Sequence, residues 1–186
     1  MVKIIAGKYR SRVLTTLDGL NTRPMTSRMK ESIFNSIGPY FDNDVVLDLF
    51  GGSGALSIEA LSRGASFAYI NEKAYDALRV INKNVETIGV QNEVSIMNLD
   101  YKVALKKLSS DNKKFDIVFL DPPYRMNIVG EIVGYLVDNE MLEQNAIIVC
   151  QYVTGNYHPA ENDNLKLLKN STYASSEVCI DRKSVV

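Results

Sequence analysis

From residue 44 onwards, short apolar runs alternate regularly with stretches of helical periodicity. Seven runs are predicted strands, and they lie at 45–50, 66–70, 93–97, 115–120, 146–152, 165–168 and 177–181. Strands that alternate with helices form a mostly parallel sheet with right-handed crossovers and helices on both faces. Strands that are buried on both faces read as continuous apolar runs, as the first five of these do. The alternation therefore predicts an α/β fold.

The first 30 residues differ from the rest in charge. Residues 1–30 carry a net charge of +6, whereas residues 31–186 carry −7. The β-rich stretches 3–6 and 12–16, joined by a turn around Gly7, predict a hairpin in this basic segment. A basic hairpin attracts polyanions, but a solvated basic end without a partner is an equally good explanation of the charge.

The chain divides into two predicted regions. We expect a basic N-terminal hairpin extension over residues 1–25 and a larger α/β domain over 26–186. The larger region opens with a helix, because Thr26 or Ser27 can cap a helix that starts there. No apolar run approaches the roughly 20 residues of a membrane helix, and the two cysteines lack metal-ligand spacing. We therefore expect a soluble cytoplasmic protein with no metal site.

A glycine turn after the first of the seven strands is the first candidate site. In open α/β sheets, ligands bind beyond the carboxyl ends of the strands, where the strand order reverses. Asp48 and the turn at 51–54 occupy such an end. A dinucleotide fingerprint would need a glycine at Ser57, so that motif is absent. The turn suits a ligand with an amine and a carboxylate, although a tight turn without a ligand remains an alternative.

Acidic residues also follow the next two strands. Glu72 lies about 20 residues beyond the glycine turn, where an acid can bind both hydroxyls of a ribose. Asp100 could face an adenine amine, or it could cap the helix that starts at Tyr101. Each acid alone is typical of a surface residue. Together with Asp48 they indicate a nucleoside-containing ligand.

The second candidate site follows the fourth strand, at Asp121-Pro122-Pro123-Tyr124. Two consecutive prolines fix the backbone and remove two N–H donors. The Asp121 carboxylate and the Pro122 carbonyl are then free acceptors, and the Tyr124 ring offers a stacking surface. This combination suits an exocyclic amine on a planar base. The alternative is a loop that merely ends a strand.

These motifs resemble those of a known family. Residues 46–65 resemble the first motif of S-adenosylmethionine-dependent methyltransferases, and the Asp-Pro-Pro-Tyr motif resembles the signature of those that methylate amino nitrogens. The opening residues 5–10 and the segment 23–35 are similar to the bacterial 16S ribosomal RNA guanine-N2 methyltransferases. The chain departs from that family at Met25 and Ser27, where Thr and Asp are usual, which affects the expected RNA contacts.

The resemblance implies a fold, a cofactor and roles for individual residues. The implied fold is a seven-stranded Rossmann-like class I methyltransferase sheet with its last strand antiparallel, preceded by a small hairpin extension. The implied cofactor is S-adenosylmethionine, with binding residues Asp48, Phe50, Gly52, Gly54, Glu72, Asp100 and Tyr101. The target guanine would be surrounded by Asp121, Pro122, Pro123 and Tyr124. The basic residues that we expect to contact RNA are Lys8, Arg10, Arg12, Arg23 and Arg28.

The expected function is methylation of a guanine N2 amine in 16S ribosomal RNA. The expected partner is 16S ribosomal RNA or the small-subunit particle, and the expected state is a monomer. Two alternatives stay open. A DNA adenine-N6 methyltransferase would use the same core, but 186 residues leave little room for the target-recognition insertion such enzymes usually carry. A non-catalytic RNA-binding or ribosome-assembly protein is the other alternative.

Overall fold

A computed structural model describes residues 2–17, 26–123, 126–155, 164–173 and 176–184. Its strands are β1 (Val2–Lys3), β2 (Val13–Leu14), β3 (Val45–Asp48), β4 (Phe67–Asn71), β5 (Val94–Met97), β6 (Phe115–Leu120), β7 (Leu142–Val153), β8 (Leu165–Tyr173) and β9 (Ser176–Lys183). Its helices are α1 (Ser27–Ile37), α2 (Ala55–Ser62), α3 (Tyr75–Ile88), α4 (Tyr101–Ser110) and α5 (Val129–Asp138).

The seven predicted strands form one sheet in the order β5-β4-β3-β6-β7-β9-β8. Strands β5, β4, β3, β6 and β7 are parallel to one another, and β9 runs antiparallel to both of its neighbours. The predicted α/β methyltransferase-like sheet with an antiparallel last strand is therefore confirmed. The strand order reverses between β3 and β6, so a crevice is expected at their carboxyl ends.

Helices cover both faces of the sheet. Helices α1, α2 and α3 contribute to one apolar cluster, and α4 and α5 contribute to the other. Helix α3 shows why the sequence folds this way, because Ala77, Ile81, Val85 and Ile88 recur at helical spacing and are all buried. Helix α1 starts as predicted, since the Thr26 hydroxyl accepts a hydrogen bond from the Met29 N–H at 3.2 Å.

Several predicted strand boundaries were wrong. Strand β7 begins at Leu142 rather than 146, and β8 extends to Tyr173 rather than 168. Strand β7 is longer because Leu142 already pairs with Phe115 of β6, and β8 is longer because its antiparallel pairing with β9 continues to Tyr173. Within the part of the chain that the structure describes, no helix has the length and apolar character needed to span a membrane.

The N-terminal hairpin is shorter than predicted and packs closely on the sheet domain. Only Val2–Lys3 and Val13–Leu14 pair as strands. The amides of Ile5 and Ala6 donate instead to the Glu59 carboxylate of α2, at 2.9 and 3.1 Å, so they do not extend the strand. Ile4 and Leu14 are buried in the same cluster as α1, α2 and α3. The division of the chain at residues 25 and 26 stays a prediction.

Candidate active site

A cavity of about 390 Å³ lies at the carboxyl ends of β3, β4 and β6. It is lined by residues of both predicted sites, so the loops after the first and fourth strands of the sheet open onto the same space. The predicted site residues that line it are Asp48, Phe50, Gly52, Glu72, Asp100, Tyr101, Asp121, Pro122 and Pro123. Tyr124 lies outside the described residues.

The glycine turn bends tightly between β3 and α2. Gly52 and Gly54 have φ angles of 56° and 76°, a region that L side chains rarely adopt. A Cβ at Gly51 would lie 2.5 Å from the Ile70 Cγ2, so only glycine fits against β4 there. Gly54 is not among the cavity-lining residues and instead starts α2. Gly52 borders the cavity, and a Cβ there would meet no atom within 4 Å.

Glu72 supports the glycine turn from the end of β4. Its Oε2 accepts a hydrogen bond from the Gly52 N–H at 2.9 Å, and its Oε1 accepts one from the Ala74 N–H at 2.7 Å. The carboxylate thus connects the turns after two neighbouring strands at the cavity wall. Ribose binding by Glu72 stays a prediction.

Asp100 has partners within the protein. Its Oδ1 accepts the Lys102 N–H at 3.1 Å and caps α4, which confirms the capping alternative. Its Oδ2 lies 2.9 Å from the Lys73 Nζ. The hydrogen bond from Lys73 lowers the pKa of the Asp100 carboxyl below its usual range. A contact between Asp100 and adenine stays a prediction.

Two aromatic rings form an apolar part of the cavity wall. Phe50 follows β3 and Tyr101 begins α4, and their ring centroids lie 5.8 Å apart at an interplanar angle of 42°. Leu99 lines the cavity beside them. Large, tilted aromatic surfaces of this kind suit a flat ring system such as a purine.

The cavity contains two acidic groups, Asp48 and Asp121, whose pKa values lie well above the ordinary value. Asp48 is 2% exposed, and burial raises its pKa to about 7, although the Ser57 hydroxyl donates a hydrogen bond to it at 2.8 Å. Removal from water also raises the pKa of Asp121 to about 7, and the charge of Asp48 adds to the effect. The two carboxylates therefore repel each other when both are ionised, and a cation between them would relieve this repulsion.

The donor chemistry of the cavity fits S-adenosylmethionine. Acidic groups suit the positively charged sulfonium and amine, a carboxylate at a strand end suits a ribose, and the aromatic pair suits an adenine. The residues present would hold the methionine part near Asp48 and the glycine turn, and the nucleoside part near Glu72 and Tyr101.

Sequence reasoning missed a buried asparagine that connects three strand ends. The Asn71 Nδ2 donates to the carbonyls of Leu49 and Leu99 at 3.3 and 3.1 Å, and its Oδ1 accepts from the Leu99 N–H at 3.3 Å. Asn71 also lines the cavity. The one available signal was its position at the end of a predicted strand, directly before Glu72.

Sequence reasoning also missed that the N-terminal region forms part of the cavity wall. Val2, Thr16 and Leu17 line the cavity, as does Lys30 of α1. Lys30 was counted as part of the basic segment, but it is 1% exposed and its Nζ lies 2.8 Å from the Glu59 carboxylate. Its charge is therefore neutralised inside the protein and does not contribute to a basic surface.

The basic residues that we expect to contact RNA differ in their surroundings. The Lys8 Nζ lies 3.0 Å from the Glu93 carboxylate. The Arg12 guanidinium donates to the carbonyls of Ile88 and Thr87 at the end of α3. Arg10 and Arg28 are exposed, and Arg23 lies outside the described residues. RNA contact by all five predicted residues stays a prediction.

Comparison with known proteins agrees with the fold. A family model described as conserved hypothetical protein 95 matches residues 2–182. The Bacillus subtilis protein YlbH is 34% identical over 182 residues, which cover 98% of this chain and 99% of that protein. The Escherichia coli protein named ribosomal RNA small subunit methyltransferase D is 34% identical over 166 residues, which cover 89% of this chain and 82% of that protein.

A solved structure from Escherichia coli has a similar fold along nearly the whole chain. It superimposes with a TM-score of 0.84 at 31% sequence identity and covers 98% of this chain and 97% of that chain. Similarity in sequence and in fold thus extends over the N-terminal hairpin, the glycine turn and the Asp-Pro-Pro segment together. The chain therefore belongs to the conserved hypothetical protein 95 family and to the family of ribosomal RNA small subunit methyltransferase D.

Proposed function

We propose that this methyltransferase transfers a methyl group from S-adenosylmethionine to the exocyclic N2 amine of a guanine in 16S ribosomal RNA. The observation that carries the proposal is the shared cavity, because it brings the glycine turn and Asp48 next to Asp121 and Pro122. The relative named ribosomal RNA small subunit methyltransferase D supports the choice of RNA. The monomeric state stays a prediction.

The cofactor supplies an activated methyl group, because a sulfonium carries a good leaving group. The protein residues bind and orient it. Asp48 lines the cavity as a buried acid, and Glu72 holds the glycine turn in place. Phe50 and Tyr101 supply an apolar surface and help exclude water from the nucleoside end.

Asp121 and Pro122 line the cavity and supply the acceptors that would bind the target amine. A guanine N2 amine is a poor nucleophile, because its lone pair is delocalised into the ring. Hydrogen bonds from its N–H groups to the Asp121 carboxylate and the Pro122 carbonyl would favour a pyramidal nitrogen directed at the methyl group. Alignment of two bound reactants can lower the barrier by about 7–11 kcal/mol.

Asp121 is also the proposed acceptor of the proton that the methylated amine must lose. A general base works best when its pKa lies near the working pH. Burial raises the pKa of Asp121 to about 7, so its carboxylate can accept a proton at neutral pH. The guanine must leave its stack to reach this cavity, which favours a nucleotide in a loop or bulge.

Replacing Asp121 by Ala tests the proposal. We expect methyl transfer to unmodified 16S ribosomal RNA or small subunits to disappear, while the affinity for S-adenosylhomocysteine in calorimetry stays close to that of the unchanged protein. Asp138→Ala is the matched control, because Asp138 is an exposed acid at the end of α5. Nucleoside mass spectrometry should identify N2-methylguanosine in the product.

Three results would contradict the proposal. Normal turnover by Asp121→Ala would remove Asp121 from the reaction. Methyl transfer to adenine in duplex DNA, but not to RNA, would favour the DNA methyltransferase alternative. A failure of the unchanged protein to bind the cofactor would favour a non-catalytic RNA-binding protein.

A further inference from the structure

Asn84 connects two segments that are far apart in the sequence. It lies on α3 and is 1% exposed. Its Oδ1 accepts from the Thr15 N–H at 2.8 Å, and its Nδ2 donates to the carbonyls of Thr15 and Ser53 at 2.9 and 2.8 Å. The side-chain amide thus pairs with both main-chain groups of Thr15 and, at the same time, with the glycine turn.

The two segments that Asn84 joins form parts of the wall of the same cavity. Thr16 and Leu17 directly follow Thr15 and line the cavity, as do Gly52 and Ser53 of the glycine turn. Without the Asn84 amide, partly buried main-chain groups on both segments would lose hydrogen-bond partners, which costs free energy where water cannot fully replace them. The Asn84 side chain therefore fixes the position of one segment relative to the other.

Further contacts of α3 support this connection. The Arg12 guanidinium binds the carbonyls of Ile88 and Thr87 at the end of the helix. Leu14, which lies in the sequence between Arg12 and Thr15, is fully buried. On the other side, Ile81 of α3 packs under the glycine turn, with its Cγ2 3.6 Å from the Cβ position of Gly54. Helix α3 thus contacts the N-terminal segment and the cofactor turn at several points.

We propose that Asn84 is a positioning residue that couples the basic N-terminal segment to the cofactor turn. This inference rests on the proposed function, because it takes RNA as the ligand of the segment and S-adenosylmethionine as the ligand of the cavity. Each ligand favours the arrangement in which segment 15–17 is held against the glycine turn. Binding of either one therefore strengthens binding of the other, and the coupling is reciprocal.

Calorimetric titration with S-adenosylhomocysteine tests the positioning role. Asn84→Ala should weaken binding about tenfold, the equivalent of one or two net hydrogen bonds. Asn82→Ala is the matched control, because Asn82 is exposed on the same helix and its Nδ2 donates to the Leu78 carbonyl one turn away. We expect this control to bind like the unchanged protein.

The coupling itself is measured with an unmodified 16S ribosomal RNA transcript as the probe. The unchanged protein and Asn82→Ala should bind S-adenosylhomocysteine about tenfold more tightly when the RNA is present, within the range usual for coupled sites. Asn84→Ala should show the same affinity with and without RNA. If Asn84 only stabilised the fold, its replacement would lower the melting temperature but leave unchanged the ratio of the S-adenosylhomocysteine affinities with and without RNA.

The inference is overturned if the unchanged protein binds S-adenosylhomocysteine equally well with and without the transcript, or if Asn84→Ala keeps the full ratio. These outcomes leave the proposed function intact when methyl transfer to RNA is observed. If the unchanged protein does not bind S-adenosylhomocysteine, both fail. Should Asn84→Ala not fold, Asn84→Asp keeps the acceptor for the Thr15 N–H but removes the two hydrogen bonds donated to Thr15 and Ser53, and its ratio of affinities with and without RNA should fall towards one.

Discussion

Replacing Asp48 by Asn removes a buried acid whose protonation is linked to folding. Burial raises the pKa of Asp48 to about 7 from an ordinary value of 3.8. The folded state therefore holds this proton more tightly than the unfolded state does. The resulting stabilisation is complete below about pH 4 and is lost as the pH rises through about 7. A difference of about three pKa units corresponds to about 4 kcal/mol of unfolding free energy.

Urea unfolding at a series of pH values measures this contribution directly. Asn has nearly the same shape as Asp, and its side-chain oxygen can still accept the Ser57 hydroxyl. We expect the unfolding free energy of Asp48→Asn, minus that of the unchanged protein, to increase by up to about 4 kcal/mol between about pH 4 and pH 8. Taking the difference between the two proteins cancels the other titrating groups to first order.

Ser57→Ala provides a second test of the same reasoning. The Ser57 hydroxyl stabilises the ionised carboxylate and so opposes the effect of burial on the Asp48 pKa. Its removal should therefore shift the pH-dependent loss of stability to higher pH. The argument is refuted if the difference in unfolding free energy between Asp48→Asn and the unchanged protein stays constant across the pH series. Asp48 would then titrate in the folded protein as it does in the unfolded chain.

Two further changes address the packing of the N-terminal hairpin. Glu59→Gln leaves the Lys30 and Arg63 side chains buried without a counter-ion, and it should lower the unfolding free energy by about 3–5 kcal/mol in urea; an unchanged midpoint would contradict this. Gly7→Ala places a Cβ 1.7 Å from a main-chain oxygen of α2, so the hairpin must shift, and limited proteolysis should cut the N-terminal region faster. Gly89→Ala, also at positive φ but with free space around its Cβ, should be the milder change; equal proteolysis of both variants would show that the collision is unimportant.

The predictions that succeeded from sequence rest on local patterns. The apolar runs at 45–50 and 115–120 were identified as strands because a strand that is buried on both faces must be apolar at every position. The residues that follow parallel strands necessarily lie at the same edge of the sheet. For this reason Asp48 and Asp121 could be assigned to one crevice although 73 positions separate them, and the cavity contains both.

Apart from strand boundaries, the features that the sequence did not reveal concern polar side chains whose partners are distant in the sequence. Lys30 contributes to the positive net charge of residues 1–30, but it is buried beside Glu59 and does not lie on the surface. The hairpin was predicted to continue through residue 6, but the amides of Ile5 and Ala6 bind the Glu59 carboxylate. Neither outcome is visible in a local pattern, because a lysine or a glutamate reads as a surface residue until its partner is known.

The sequence by itself determined the strand and helix order, the edge of the sheet that carries the site, and the residue types that suit a cationic nucleoside ligand. Only the tertiary structure decided that the N-terminal hairpin forms part of the cavity wall and that Asn84 joins it to the glycine turn. Apolar periodicity records which face of a helix or strand is buried, so it can be read from that element alone. Hydrogen bonds between Asn84, Thr15 and Ser53 depend on where three separate segments meet in space, and no single segment contains that information.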